Sequence, residues 1–166
     1  MPQAKRVFIG CSVQANWPTF PNSGKVVSIE DRHMTLAFLG KVTPEEYDRL
    51  KSAPRLHLEQ PIAIQCSELR AFPPRSKRAL AYLTSLHGCV ITKYQHTLSR
   101  WLKAHNYRTE ERPFLPHITI ARGKFDMTLW KAHFSAFEAK ITGVYLYESM
   151  GHGCYKKRFT LLEDAV

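Results

Sequence analysis

The chain has 166 residues, 44% of them hydrophobic, and its 24 Lys and Arg against 14 Asp and Glu give a formal net charge of +10 at pH 7. This length predicts one domain, residues 1–166, with a hydrophobic core of its own. No apolar run approaches the roughly 20 residues of a membrane-spanning helix, and no segment resembles a signal peptide, so we expect a cytoplasmic protein with no membrane partner. The charge favours a polyanionic partner such as nucleic acid, although an indifferent basic surface would have the same composition.

Four cysteines are scattered along the chain and form no C-x-x-C pair: Cys11, Cys66, Cys89 and Cys154. Their spacing does not exclude disulfides, but it has no feature of a secreted disulfide framework. The chain also lacks the clustered Cys and His residues of a zinc site. We therefore expect four buried or half-buried thiols and no metal centre.

Strands and helices alternate along the chain. The apolar patterns predict strands at 6–13, within 25–40, and at 60–72, 78–86, 113–123, 139–150 and 154–164, and helices at 43–53, 86–102 and 126–137. The first helix has a complete start signal, with Thr43 as N-cap, Pro44 at the first position and Glu46 three residues after the cap. This mixed order predicts an α+β fold with largely antiparallel sheets.

Two segments share a pattern, "HMTLAFLG" at 33–40 and "PHITIAR" at 116–122, with their histidines 84 positions apart. Each places a histidine, one residue and a threonine in an apolar, strand-like run. Eight His and eleven Thr would give about half of one H-x-T match by chance, so the strand context carries the weight. The separation of about half the chain suggests an internal duplication.

Side chains alternate across a strand, so each histidine shares a face with its threonine. His33 and Thr35 are predicted opposite the apolar Met34, Leu36 and Phe38. In the second strand, His117 and Thr119 are likewise predicted opposite Ile118 and Ile120. The apolar faces can pack on helices, and the His/Thr faces then need a polar environment.

If the two polar faces meet across a cleft, one neutral and one protonated imidazole can act as general base and general acid on a phosphodiester. The threonine hydroxyls could bind non-bridging oxygens and Arg122 could add a charged contact, with no metal required. Strict alternation, however, puts Arg122 on the face opposite His117 unless the strand bends or ends there, which Gly123 would permit. The competing interpretation is two structural histidines beside good strand formers.

The two motifs resemble the H-x-T-x signatures of the two-histidine phosphoesterase superfamily. They are most similar to those of its RNA 2′,3′-cyclic phosphodiesterases, historically called 2′-5′ RNA ligases. Further segments resemble this family in the same order: "RVFIGCSV", "LRAFPPRSKRALAYL", "RPFLPHITIAR" and "LYESMGHGCY". The resemblance implies a two-lobed α+β fold with a pseudo-twofold axis. In it, antiparallel sheets carry helices on their outside and an active-site groove lies between the lobes.

The resemblance also implies an activity and residue roles. The activity is hydrolysis of an RNA or nucleotide 2′,3′-cyclic phosphate to a 2′-phosphomonoester by a monomer without cofactor, with weak ATP-independent 2′-5′ ligation in reverse. His33 would be the general acid and His117 the general base. Thr35 and Thr119 would hold the phosphate, and Arg122 would assist. Two alternatives stay open: a module that binds RNA ends without cutting them, and an enzyme that cleaves linear 2′-5′ oligonucleotides.

Other residues are weaker candidates. Phe72 could stack on a base while the neighbouring cations follow an RNA backbone, or it could be a buried residue beside a solvated loop. The cations concerned are Arg70, Arg75, Lys77 and Arg78. His152 and Tyr155 would touch a substrate only if the hairpin that carries them reaches the groove. The remaining histidines considered are expected at the surface without a catalytic role: His57, His87, His96 and His105.

Overall fold

The computed structural model describes residues 3–73, 79–86 and 90–164. Five of the residues considered above lie outside these ranges: Arg75, Lys77, Arg78, His87 and Cys89.

The described residues form eight strands and three α-helices, in the predicted order. The strands are β1 (Lys5–Ala15), β2 (Lys25–Val26), β3 (His33–Val42), β4 (Ile62–Phe72), β5 (Ala79–Leu86), β6 (His117–Arg122), β7 (Phe137–Gly151) and β8 (Cys154–Thr160). The helices are α1 (Pro44–Arg49), α2 (Val90–Ala104) and α3 (Met127–His133), with short 3₁₀ turns at Ile29–Asp31 and Leu50–Ser52. None of the helices in these ranges has the length and apolar character needed to span a membrane.

The start of α1 is as predicted, and the end of α3 is not. Thr43 Oγ1 accepts from the Glu46 N–H at 3.1 Å, and Glu46 Oε1 accepts from the Thr43 N–H at 3.1 Å. The third helix was expected to reach residue 137, but it ends at His133 because Phe134 is extended. Phe134 and Phe137 both pack against the Tyr82 ring, at centroid distances of 5.7 and 5.0 Å. This tertiary packing overrides the local helical pattern.

All named strand pairs are antiparallel, which confirms the predicted α+β class. The strand order is β1-β3-β6-β5-β4-β7-β8, and β7 also pairs with β1. Six strands therefore form a closed ring, with β8 added outside β7 and β2 beside β6. One half of the ring contains β1 and β3, the other contains β4, β5 and β6, and β7 joins them by pairing with both β1 and β4.

The two histidine strands are related by an approximate twofold axis. β3 and β6 meet at one residue pair, Met34 opposite Ile118, and each of these follows the histidine of its motif. The register of β1 with β3 skips Leu36, and the register of β5 with β6 skips Ile120. Both skipped residues stand three positions after their histidine, so the same irregularity occurs in both halves.

The helices cover the outside of the ring and leave the His/Thr faces open. The apolar face of α2 is buried at Ile91, Tyr94, Leu98 and Leu102. Gln95 of α2 donates to the Leu36 carbonyl on β3 at 3.3 Å, which fixes α2 against the first half. On the second half, α3 buries Trp130, whose indole N–H donates to the Ser23 carbonyl at 3.0 Å. The core thus lies between the helices and the apolar strand faces.

The cysteine prediction is partly wrong. Cys11 and Cys66 are buried free thiols, as expected. Cys154 is exposed, because it stands at the first position of β8, directly after the turn that joins β7 to β8. Burial raises the pKa of the Cys11 and Cys66 thiols to about 12, so both stay protonated at neutral pH.

Candidate active site

The five predicted site residues line one cleft. β3 contributes His33 and Thr35, and β6 contributes His117, Thr119 and Arg122, around a volume of about 700 Å³. The central contact of Met34 with Ile118 places the two strands side by side with both polar faces toward this space. The cleft therefore holds two imidazoles, two hydroxyls and a guanidinium.

Both imidazoles are oriented in the same way. His33 Nδ1 lies 2.8 Å from the Asp31 carbonyl oxygen, and His117 Nδ1 lies 2.8 Å from the Leu115 carbonyl oxygen. A carbonyl can only accept, so Nδ1 carries a proton in each ring and Nε2 is free to exchange one. His33 Nε2 is 3.1 Å from Thr35 Oγ1, whose hydroxyl donates to the neutral ring. This orientation suits general acid–base chemistry at Nε2.

The loop before β3 is anchored by Arg32. Arg32 is only 7% exposed, and its guanidinium lies 4.7 Å from the Trp17 ring centroid and 5.1 Å from that of Phe20. Arg32 Nε also donates to the Val27 carbonyl at 3.0 Å. These contacts fix the segment that supplies the carbonyl partner of the next residue, His33.

Aromatic rings enclose His33 on three sides. Its ring centroid is 4.7 Å from that of Phe8, 4.9 Å from that of Tyr155 and 5.5 Å from that of Tyr147. Burial lowers the pKa of His33, the hydrogen bond to the Asp31 carbonyl opposes this effect, and the charge of Arg122 lowers the pKa further. The net effect favours the neutral form of His33 in the ligand-free protein.

This pKa shift can be measured directly. In an NMR titration of the ligand-free protein, we expect His33 to titrate below the ordinary histidine value of 6.5. Inorganic phosphate in the cleft should raise this pKa, because an adjacent anion favours the protonated ring. His33→Gln identifies the resonance. A value at or above 6.5 without phosphate would contradict the buried environment described above.

The structure explains how Arg122 can lie on the same strand face as His117, which strict alternation would not allow. Because the β5–β6 register skips Ile120, both Ile120 and Ala121 are fully buried. The alternation restarts after this irregularity, and Arg122 returns to the face of His117, where it lines the cleft. The register changes within the motif, before Gly123, so strict alternation does not hold as far as Arg122.

The equivalent irregularity at Leu36 overturns a second expectation. Phe38 was predicted on the core face with Met34 and Leu36, but it is 51% exposed and lines the cleft. Phe38 and Arg122 each stand five positions after their histidine. The approximate twofold axis thus places an aromatic ring on one side of the cleft and a guanidinium on the other.

The β7–β8 hairpin reaches the cleft through Tyr155. The Tyr155 N–H donates to Asp31 Oδ1 at 3.2 Å, and Arg122 Nη2 donates to the Tyr155 hydroxyl at 3.4 Å. His152 lies in the turn with φ 55° and does not line the cleft. Of the two hairpin candidates, the structure therefore places only Tyr155 beside His33 and Arg122.

The remaining candidates lie at the edge of the site or away from it. The Phe72 ring packs against the His117 imidazole at a centroid distance of 5.1 Å, so it supports one side of that ring. His57 is exposed and bonded to Glu163, His105 packs on Trp101, and His96 is on the surface of α2. No group of three or more His, Cys, Asp and Glu side chains suited to a metal occurs within the described ranges.

Sequence reasoning missed several residues of the cleft wall. Phe8 was assigned to a fully apolar strand, where nothing in the pattern separates its face from the core. Three arginines that line the cleft were also missed: Arg6, Arg108 and Arg112. Two of them come from the loop "RTEERP" after α2, whose dense charges were the available signal.

No family model and no curated protein matches the sequence. Solved structures do match over nearly the whole chain. E. coli LigT in complex with 3′-AMP superposes with a TM-score of 0.69 at 20% identity, covering 96% of this chain and 99% of that one. The chain has the LigT fold. The crystal structure of a phosphoesterase gives a TM-score of 0.64 at 18% identity, covering 96% and 99% of the two chains.

A third similar structure, the protein TT0787 of Thermus thermophilus, gives a TM-score of 0.62 at 20% identity and covers 94% of this chain and 97% of that one. E. coli LigT has also been solved with phosphate, ATP and NADP+. The match confirms the predicted fold.

Proposed function

We propose that this protein is an RNA 2′,3′-cyclic phosphodiesterase that hydrolyses the cyclic end to a 2′-phosphomonoester by paired-histidine catalysis. The observation that carries the proposal is the matched pair of imidazoles. Each Nδ1 is held by the carbonyl two residues earlier at 2.8 Å, in a cleft that also contains two threonines and Arg122. The LigT fold adds support, because LigT binds 3′-AMP and phosphate.

In the proposed reaction, His117 Nε2 removes a proton from water, and the water oxygen forms a bond to phosphorus. The bond from phosphorus to the 3′ oxygen breaks, and His33 Nε2 donates a proton to that oxygen. The products are a 3′ hydroxyl and a 2′-phosphomonoester, and solvent restores both rings. A 5′ hydroxyl in place of water would give the weak 2′-5′ ligation. No step requires a metal.

The phosphate contacts follow from the same geometry. Thr35 and Thr119 both line the cleft with the two imidazoles, and their hydroxyls are suited to the non-bridging oxygens. Arg122 supplies a positive charge for the negative charge that develops on these oxygens. The low pKa of His33 fits its assignment as acid if the bound phosphodiester anion drives its protonation.

The proposal is tested with a 2′,3′-cyclic nucleotide and a cyclic-ended oligonucleotide in EDTA. We expect both to yield 2′-phosphomonoesters, with a bell-shaped dependence of kcat/KM on pH. Stable binding of intact cyclic ends over hours would instead identify an RNA-end-binding module. Cleavage confined to linear 2′-5′ oligonucleotides would identify the other phosphodiesterase activity, and loss of turnover in EDTA would contradict the metal-independent mechanism.

A further inference from the structure

Three cations form a cluster at the rim of the cleft: Arg6, Lys41 and Arg108. Arg6 on β1 and Lys41 on β3 are direct cross-strand partners. Arg108 comes from the loop after α2, and its Nη1 lies 3.9 Å from the position that a Cβ on Gly40 would occupy. This rim cluster lines a second groove of about 470 Å³. Arg6, Gly40 and Arg108 also line the catalytic cleft, so the groove continues from it.

The cations of the rim cluster form no ion pair within the part of the chain that the structure describes. No carboxylate there lies within ion-pair distance of any of the three cations. The single described carboxylate in the groove, Glu46, already accepts from the Thr43 N–H at 3.1 Å in the cap of α1. Like charges directly opposite each other destabilise a strand pair, as Arg6 and Lys41 do here. A bound anion would offset this cost.

An exposed aromatic ring stands between the rim cluster and the catalytic pair. Phe38 lines the cleft on the same strand as Thr35 and Lys41, and it is 51% exposed. At about 3.3 Å per residue, the distance along β3 from Thr35 to Lys41 is about 20 Å. At a stacked spacing of about 3.4 Å, this corresponds to about six nucleotides. Aromatic rings followed by cations are the usual platform for single-stranded nucleic acid.

We propose that Phe38 and the rim cluster bind the RNA strand on the 5′ side of the cyclic phosphate. The preferred substrate class is then a cyclic-ended oligonucleotide, and a free cyclic nucleotide is a poorer substrate. This inference rests on the proposed function. A second basic groove, beside α2, is lined by Arg100, Arg112 and Glu110, and it contains none of the rim cluster or Phe38.

The test compares a 2′,3′-cyclic mononucleotide with a seven-nucleotide RNA that has the same cyclic end. We expect Lys41→Glu to lower kcat/KM for the RNA by about tenfold at low salt, the size of one charge-assisted contact. Turnover of the mononucleotide should stay within about twofold, because Lys41 does not line the catalytic cleft. Lys41→Arg should retain RNA turnover, and the salt slope of Lys41→Glu should be shallower by about 0.7 or more.

Lys131→Glu is the matched control, since it makes the same charge change on the exposed face of α3. It should change both substrates equally and only slightly. Lys41→Glu removes a like-charge pair, so its free energy of unfolding should not fall. Equal losses on both substrates, equal losses for the two variants, or a selective loss with Arg100→Glu in place of Lys41→Glu would each overturn the inference.

Binding provides a readout that is independent of catalysis. Fluorescence anisotropy with the same RNA carrying a 2′-phosphate end should show weaker binding by Lys41→Glu and unchanged binding by Lys131→Glu. If neither cyclic substrate is hydrolysed but this difference in binding appears, the proposed function fails and the assignment of RNA binding to the rim cluster stands. If hydrolysis occurs and the two variants bind the RNA equally, the assignment of RNA binding to the rim cluster fails and the proposed function stands.

Discussion

Replacing either His33 or His117 with alanine is expected to reduce kcat on a 2′,3′-cyclic nucleotide by about 10²–10⁴-fold. Each ring is held with Nδ1 on a carbonyl, so each variant removes one oriented proton-transfer group. Because the two rings act in one step, the double variant should have a kcat only slightly below that of the less active single variant. Steady-state kinetics with 2′-phosphomonoester detection measures both effects.

Two controls separate catalysis from stability in this experiment. His57→Ala removes an exposed imidazole bonded to Glu163 and should leave kcat within about twofold. Urea unfolding of each variant shows whether the protein is folded under assay conditions. Unchanged turnover in both His33→Ala and His117→Ala, with folded protein, would end the proposed mechanism.

The sequence was enough to predict that each histidine shares a strand face with its threonine, because the signals for this are local. Alternation alone separates His33 and Thr35 from Met34, and the cap at Thr43 marks the start of α1. The fold class follows in the same way from the order of strands and helices. These features depend on neighbouring residues in the chain.

Phe38 and Arg122 both depart from strict alternation for one reason, which is a change of register between strands. Leu36 and Ile120 are each followed by alanine, so two consecutive small or apolar residues interrupt the alternation. That interruption was the visible sign of the irregularity, but a single strand does not show which residue its partner skips. The register changes belong to the pairs β1–β3 and β5–β6, and they decide where Phe38 and Arg122 point.

The contacts of the hairpin are non-local in the same sense. Tyr155 reaches the cleft because β7 runs for 15 residues and pairs with both β1 and β8. The sequence identifies the hairpin by its "GHG" turn but contains no signal for its distance from β3. The same limit applies to the rim cluster, where Arg6 and Lys41 become neighbours only through strand pairing.

Arg122→Ala is expected to lower kcat/KM on a cyclic nucleotide by about 10²-fold, the usual cost of removing one charge-stabilising donor. Arg122→Lys keeps the charge but loses the planar set of donors, so an intermediate loss is expected. Tyr155→Phe removes only the hydroxyl that accepts from Arg122 at 3.4 Å, so kcat/KM should fall by only about twofold or threefold. Kinetics of the three variants give this order.

A second readout links Arg122 to the electrostatics of the cleft. Its charge lowers the pKa of His33, so Arg122→Ala should raise that pKa in the ligand-free protein. A purely structural arginine on the opposite strand face would change neither this titration nor catalysis. An Arg122→Ala variant with wild-type kcat/KM and an unshifted His33 would therefore contradict the placement of Arg122 at the phosphate. The register change at Ile120 would then have no functional role, because its effect is to bring the Arg122 guanidinium to the side of His117.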